Sequence, residues 1–464
     1  MISFSSYDIL ILLAFFLILI VIGLLPSIKD KNSKGEFLLA GRKMGLTLFV
    51  MTNVSTWYGG ILGIGEFTYN YGLISWTTQG LPYYFFAILF AFFLAKKVRK
   101  SNLHTIPEKI KQIYGVKAGI ISAVFIFFLA SPAPYLLMSA NIFEIIFGLN
   151  KYYAVLISAV VAVLFVIKGG YKSDLYTDVF QFFVMFVGFI AIVYFSYQKF
   201  SGVEYLVQKL PPNHLNPTGG FSIYYLITWF IIAFWTFADP GFHQRCYSVK
   251  NEKIAFKGIL ISVVFWIIFD FLTTSTGLYS KAYFGDSIEA VLSFPLYANA
   301  ILSSGWKGLF FAGLFATIFS TLNSFLFISS STLINDIAPH LKQLKAYKKS
   351  FVTKTRYTII LTAILSVVIV LFSESVVQLW YILGSLFIPG LIFLIIAAYY
   401  PKLKISTRLS ELQLIIGFGV SLLVFTLKTL GVKFLSEVEP LLIGLVAVAL
   451  IQIFGHYKKT KELA

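Results

Sequence analysis

Apolar stretches long enough to cross a bilayer recur along the whole chain, and no other feature constrains its fold as strongly. In hydrocarbon every backbone N–H and C=O must be paired inside the protein, so a chain crosses a membrane as helices or as a closed barrel. A helix needs about 20 mostly apolar residues to span it. Thirteen candidate stretches stand at 7–25, 46–65, 77–95, 118–147, 153–167, 175–197, 222–237, 254–278, 309–334, 358–372, 376–399, 412–430 and 441–454, the fifth, seventh and thirteenth being short. Of the residues, 58% are apolar and 12% charged, where soluble domains carry roughly 45–50% and 25%. A water-soluble domain, a disordered chain and a fibre are thereby excluded. One cysteine, Cys246, forms no internal disulfide, and the five histidines are too scattered to hold a metal.

The formal net charge of +17 raises the question of nucleic acid, which the placement of the charges answers. Lys and Arg collect in the cytoplasmic loops of membrane proteins. Asp8, with no Lys or Arg before it, opens the first stretch, and Lys29, Lys31 and Lys34 follow it. The stretch is therefore expected to be a retained helix rather than a cleaved signal, with the N-terminus outside. Alternating from there puts 30 of the 37 basic residues on inward segments and 7 on outward ones. The expected protein is multi-pass in the plasma (inner) membrane, with its C-terminus cytoplasmic and the lipid bilayer rather than nucleic acid as partner. The outward loops at 198–221 and 282–307 are too short to be domains, so the chain reads as a single membrane domain.

Transporters are often built from inverted repeats whose broken helices meet near the midplane. A repeat of five helices inverts automatically, because five is odd. With the first stretch set aside, 46–197 and 222–399 form such halves, 7–25 an extra helix before them, and 412–454 two extra helices after them. The halves show no evident sequence similarity. The second stretch carries the expected interruption, Trp57-Tyr58-Gly59-Gly60-Ile61-Leu62-Gly63-Ile64-Gly65, since glycine weakens a helix and lets backbone approach a ligand. Close packing of small residues is the alternative. Ser131-Pro132-Ala133-Pro134 predicts a kink in the fourth stretch, and Gly384-Ser385 with Pro389-Gly390 marks a bend in the eleventh. The seventh has no Gly or Pro before Asp239-Pro240-Gly241, and composition there predicts no break.

Several polar groups inside apolar stretches need an explanation. Ser320 and Thr321, with the carbonyl of Thr317 one turn earlier, can present three oxygens to one small cation; they can equally bond back to their own helix. Asp178 lies just inside the membrane boundary, where an ionisable group is functional by default unless it serves the helix start with Thr177 as cap. Asp174 is expected to be solvated. Asp270 stands well inside the eighth stretch and can pair with a base, bind a proton or touch a solute. Arg245, in His243-Gln244-Arg245, is expected at the inner face.

Taken together these segments resemble the sodium:solute symporter family. The resemblance rests on Ala40-Gly41-Arg42, Gly169-Gly170, Thr177-Asp178 with Gln181, Pro240, Gln244-Arg245, and Ala316 through Thr321 with Asp336. It covers residues 5–400. It implies an all-α membrane protein of about 13 helices with a ten-helix inverted-repeat core, one helix before it and two after. It also implies a sodium site in which the hydroxyls of Ser320 and Thr321 and the carbonyls of Thr317, Ser55 and Tyr58 are ligands, with Asp178 on the inward ion path. Thr317 stands where the family usually has Ala, and the segment from the glycine cluster to Tyr71-Gly72 is slightly shorter than the family's.

The expected function is sodium-coupled import of a small organic solute by alternating access, with sodium as the coupling ion and no cofactor. No phosphate-binding GxxxxGK[ST] loop is present to drive primary transport. A membrane-embedded transferase would need a His/Asp or paired-acid cluster at one face, which the spacing does not offer; a degenerate transporter acting as a sensor is the other alternative. Trp57, Tyr58 and Trp235, with the backbone at Gly59 and Gly60, are the candidate solute-lining residues, and aromatic walls suit sugars, nucleobases, amino acids and quaternary amines alike.

Overall fold

A computed structural model describes residues 2–26, 33–341, 349–372, 376–435 and 438–463; Lys29 and Lys31 of the first basic loop lie outside them. The crossing helices are α1 (Ser6–Leu24), α2 (Leu46–Ser55), α3 (Ile61–Tyr71), α4 (Ile74–Lys100), α5 (Val116–Leu129), α6 (Ala133–Phe147), α7 (Lys151–Val166) and α8 (Tyr171–Phe200). They continue as α9 (Ile223–Ile232), α10 (Pro240–Ser248), α11 (Glu252–Phe284), α12 (Trp306–Thr332), α13 (Phe351–Leu371), α14 (Val376–Tyr399), α15 (Thr407–Thr429) and α16 (Pro440–Leu463). Among the described residues 11 helical passages are long and apolar enough to cross a membrane. The other two expected stretches are α7, of 16 residues, and the interrupted α2–α3 passage.

Among the described residues three breaks shape the site. Between α2 and α3 the chain tightens into 3-10 turns over Thr56–Gly60, with Tyr58 at φ −92°, ψ 19°. The fourth stretch parts into α5 and α6 at Ala130 to Pro132, where the proline pair predicts it. The third break, between α9 and α10, corrects the sequence reading. Ala233–Ala238 also forms 3-10 turns, and Asp239 turns extended (φ −62°, ψ 116°) before α10 starts. Its cause lies just downstream of the apolar run: a residue before proline is driven out of helical geometry, and the Asp239 carboxylate caps the new helix through the Phe242 N–H at 2.8 Å. Pro389, by contrast, sits inside a continuous α14.

Helix α12 forms the centre of the molecule, buried without interruption from Phe310 to Thr332. A helix apolar all round is stable only when surrounded, and α8, α1 and the α2–α3 break are among its neighbours. The α8 contact is close because Gly188 and Gly313 face it; a Cβ on Gly188 would lie 3.3 Å from Phe310 Cα. The extra helix α1 is fastened to the start of α12 by Asp8, whose Oδ1 accepts the N–H groups of Gly305 and Gly308, both at 2.8 Å. A carboxylate at a helix N-terminus is favoured by the exposed N–H groups and the helix dipole. Segments flanking α2 and α10 are tied by two backbone bonds, Met44 N–H to Ser248 and Lys250 N–H to Met44.

Candidate functional site

The α2–α3 break touches α12 at Gly59. A Cβ there would lie 2.3 Å from Thr321 Cβ, so only glycine permits this approach. Ser320 Oγ consequently reaches the Ser55 carbonyl at 2.8 Å and the Thr317 carbonyl at 2.9 Å. Thr321 Oγ1 reaches the Thr56 carbonyl at 2.7 Å and the Thr317 carbonyl at 3.3 Å. Thr317 and Ser320 are fully buried. Three carbonyls and two hydroxyls thus converge, and each hydroxyl has one proton for two acceptors. Such a neutral, all-oxygen set fits a hard cation, whose positive charge would satisfy every oxygen at once.

Of the expected ion ligands, Ser55, Thr317, Ser320 and Thr321 are brought together. Tyr58 is not: its carbonyl accepts the Ile61 N–H, and its phenol turns away to donate to the Trp266 carbonyl at 2.9 Å. Thr56 takes its place, a carbonyl that sequence reasoning missed because only the tightened turn aims it at α12.

Beside this nest lies a buried charge cluster. The Arg245 guanidinium, 1% exposed, is not at an inner surface as expected. It reaches from α10 to the Thr52 carbonyl and Ser324 hydroxyl, each at 3.2 Å, to Thr56 Oγ1, and to Asp178 at 3.6 Å. Asp178 also accepts from Thr56 Oγ1 at 3.2 Å. Asp174, expected to be solvated, is 1% exposed and accepts the Ser324 hydroxyl at 2.5 Å. Thr177 is no cap: α8 begins at Tyr171, and its hydroxyl donates to Ser173 and Asp174 carbonyls. Asp178 pairs with the guanidinium directly and Asp174 reaches it through Ser324, and Thr56 joins this cluster to the oxygen nest.

Opening against the same break is a cavity of about 710 Å³. Trp57, Tyr58, Gly60 and Trp235 line it, as expected from the sequence; Gly59 does not, because it faces Thr321. Trp57 stacks on Trp266 with centroids 4.8 Å apart. Residues that sequence reasoning missed include Tyr83, Tyr135 and Trp380. The Trp380 ring lies where a Cβ on Gly60 would stand, 2.2 Å away, and the Trp235 ring rests on Gly384. Asp270 also lines the cavity and accepts a hydrogen bond from Tyr84 of α4.

Broken helices meeting around a central cavity, with an oxygen nest at one break, are the arrangement of a secondary transporter. The chain belongs to the sodium:solute symporter family, whose model matches residues 37–407. It is 24% identical to sodium/proline symporter 2 of Staphylococcus saprophyticus over 422 residues, 84% of this chain and 81% of that protein. It is 24% identical to the sodium/proline symporter of Staphylococcus aureus over 379 residues, covering 76% and 73%. Its fold is similar to that of a Na+-coupled sialic acid symporter in a substrate-bound outward-open state, with TM-score 0.77, 16% identity and coverage of 97% and 98%. It is also similar to a transporter of the nucleobase-cation-symport-1 family in a closed conformation with bromovinylhydantoin bound, with TM-score 0.60, 15% identity and coverage of 94% and 96%.

Proposed function

We propose that this protein is a sodium-coupled symporter that imports a small organic solute by alternating access. The observation that carries this reading is the convergence of the Ser55, Thr56 and Thr317 carbonyls with the Ser320 and Thr321 hydroxyls, where Gly59 lets the broken helix meet α12 beside the cavity. A sodium ion held there bridges α12 to the broken helix and so fixes the cavity wall formed by Trp57, Tyr58 and Gly60. Each sodium ion entering down the membrane potential releases about 2.3 kcal/mol per 100 mV from the electrical term. Asp178 and Asp174, beside the nest, lie on the path that the ion takes toward the inner side. The basic-residue asymmetry supports an orientation with the N-terminus outside and the C-terminus in the cytoplasm.

Symport by this site is tested on purified protein and in proteoliposomes. Sodium is expected to raise the unfolding temperature and potassium at the same ionic strength is not. A solute that sodium helps to bind, proline being the first to try in view of the relatives' names, is then accumulated only under an inward sodium gradient. Equal stabilisation by sodium and potassium overturns the proposal.

A further inference from the structure

The solute cavity carries an uneven set of charges. Arg245 on its wall is committed to Asp178, Thr52, Thr56 and Ser324. Asp239 caps α10, Glu439 is paired with Lys428 at 3.5 Å, and Glu66 stands only half-buried on the wall. Asp270 is different. It is 8% exposed, lies in the middle of α11, and among the described residues no Lys, Arg or His forms an ion pair with it. The groups that meet its oxygens are neutral phenols: Tyr84 donates to it, and the Tyr58 hydroxyl lies beside it. Burying a carboxylate without a cation is costly, and in a membrane helix such a group marks a ligand.

The neighbourhood supplies the rest of a cation receptor. Trp57 and Tyr58 line the same cavity, and aromatic rings attract desolvated ammonium groups. An independent observation points to a second ligand group: Asn53, 3% exposed and also lining the cavity, has an amide nitrogen with no hydrogen-bond partner. A buried unpaired donor asks for an acceptor. No base on the cavity wall is free to take an anionic solute.

We infer that the transported solute carries a cationic nitrogen, received by Asp270 among the aromatic residues of the cavity wall, together with an acceptor oxygen that meets Asn53. The chemical class is a small organic ammonium compound bearing a hydroxyl or carboxylate oxygen. This inference rests on the symport reading, since it names the solute of the same cavity.

The test measures unfolding temperature in saturating sodium with a fixed panel: choline, ethanolamine, glycine betaine and proline against 3,3-dimethyl-1-butanol, glucose, uracil and pyruvate. Dimethylbutanol copies choline with carbon in place of the charged nitrogen, so wild-type selectivity reads the charge with no variant needed. Stabilisation confined to the ammonium compounds is expected. Asp270→Asn is expected to raise the half-saturating concentration of the binding member by about tenfold or more while leaving stabilisation by sodium alone intact. A neutral or anionic member binding better than its ammonium counterpart overturns the inference, and so does a panel that binds nowhere while sodium still stabilises. Unchanged affinity in Asp270→Asn overturns it too. Loss of the sodium response itself in that variant makes Asp270 an inorganic-ion ligand, which also refutes it. Failure of the wild type to respond to sodium defeats the symport reading instead, so the two failures are distinguishable.

Discussion

Ser320→Ala isolates the role of the oxygen nest. In the absence of sodium the change deletes a hydroxyl shared between the Ser55 and Thr317 carbonyls, an interaction with a net worth of about 0.5–1.5 kcal/mol. Alanine costs the helix nothing, being its best former. With sodium present the loss is larger, because one of five oxygens around the ion goes. A tenfold weaker affinity corresponds to about 1.4 kcal/mol. At a sodium concentration 100 times the wild-type Kd, ion binding stabilises the folded protein by about 2.7 kcal/mol, and a tenfold weaker site retains about half of that. The assay is unfolding temperature across a sodium titration against potassium, with half-maximal sodium for uptake as a second readout. Thr321→Ala behaves the same way, having lost its contact with the Thr56 carbonyl. Thr321→Ser keeps the oxygen and responds to sodium like the wild type, and Phe319→Leu leaves sodium dependence unaltered. If both alanine variants titrate like the wild type, the hydroxyls serve only their own helix contacts and the ion binds elsewhere.

Further predictions follow from the same geometry. Gly59→Ala pushes a methyl into Thr321 and abolishes sodium-dependent stabilisation, whereas Gly35→Ala, with open space around it, leaves the sodium titration unchanged; a retained sodium response in Gly59→Ala refutes the close approach. Asp178→Asn slows sodium-driven uptake and Asp178→Glu is milder; because Asp174 is buried against Ser324, Asp174→Asn is also impaired, and wild-type uptake kinetics in both Asn variants would exclude an ion path there. A cysteine at Gly219 reacts with an impermeant maleimide in intact cells and one at Lys458 does not, native Cys246 being buried; the reverse pattern inverts the proposed orientation.

The features legible in the sequence are those that depend on the order of residues along one helix. Hydropathy marked the crossing stretches, because the need to pair backbone groups in hydrocarbon acts on each stretch separately. The proline pair at Pro132 and Pro134 broke the fourth stretch, and the glycines beside Tyr58 loosened the second. The adjacent hydroxyls of Ser320 and Thr321 stood out as polar groups on an otherwise apolar helix. Packing between helices decided the rest. The chain does not state that Thr56 rather than Tyr58 aims its carbonyl at α12, since a turn of 3-10 geometry rotates each carbonyl away from its helical direction. Nor does it show that the Arg245 side chain runs inward to meet Asp178, or that Asp174 turns from solvent to Ser324. The break between α9 and α10 escaped a reading of composition because its cause, Asp239-Pro240, lies beyond the apolar run. Gly60 and Trp380 are over 300 residues apart in the chain and in contact only through the fold. A one-dimensional pattern specifies which face of a helix must be buried; which neighbour buries it is settled only when all the helices pack at once.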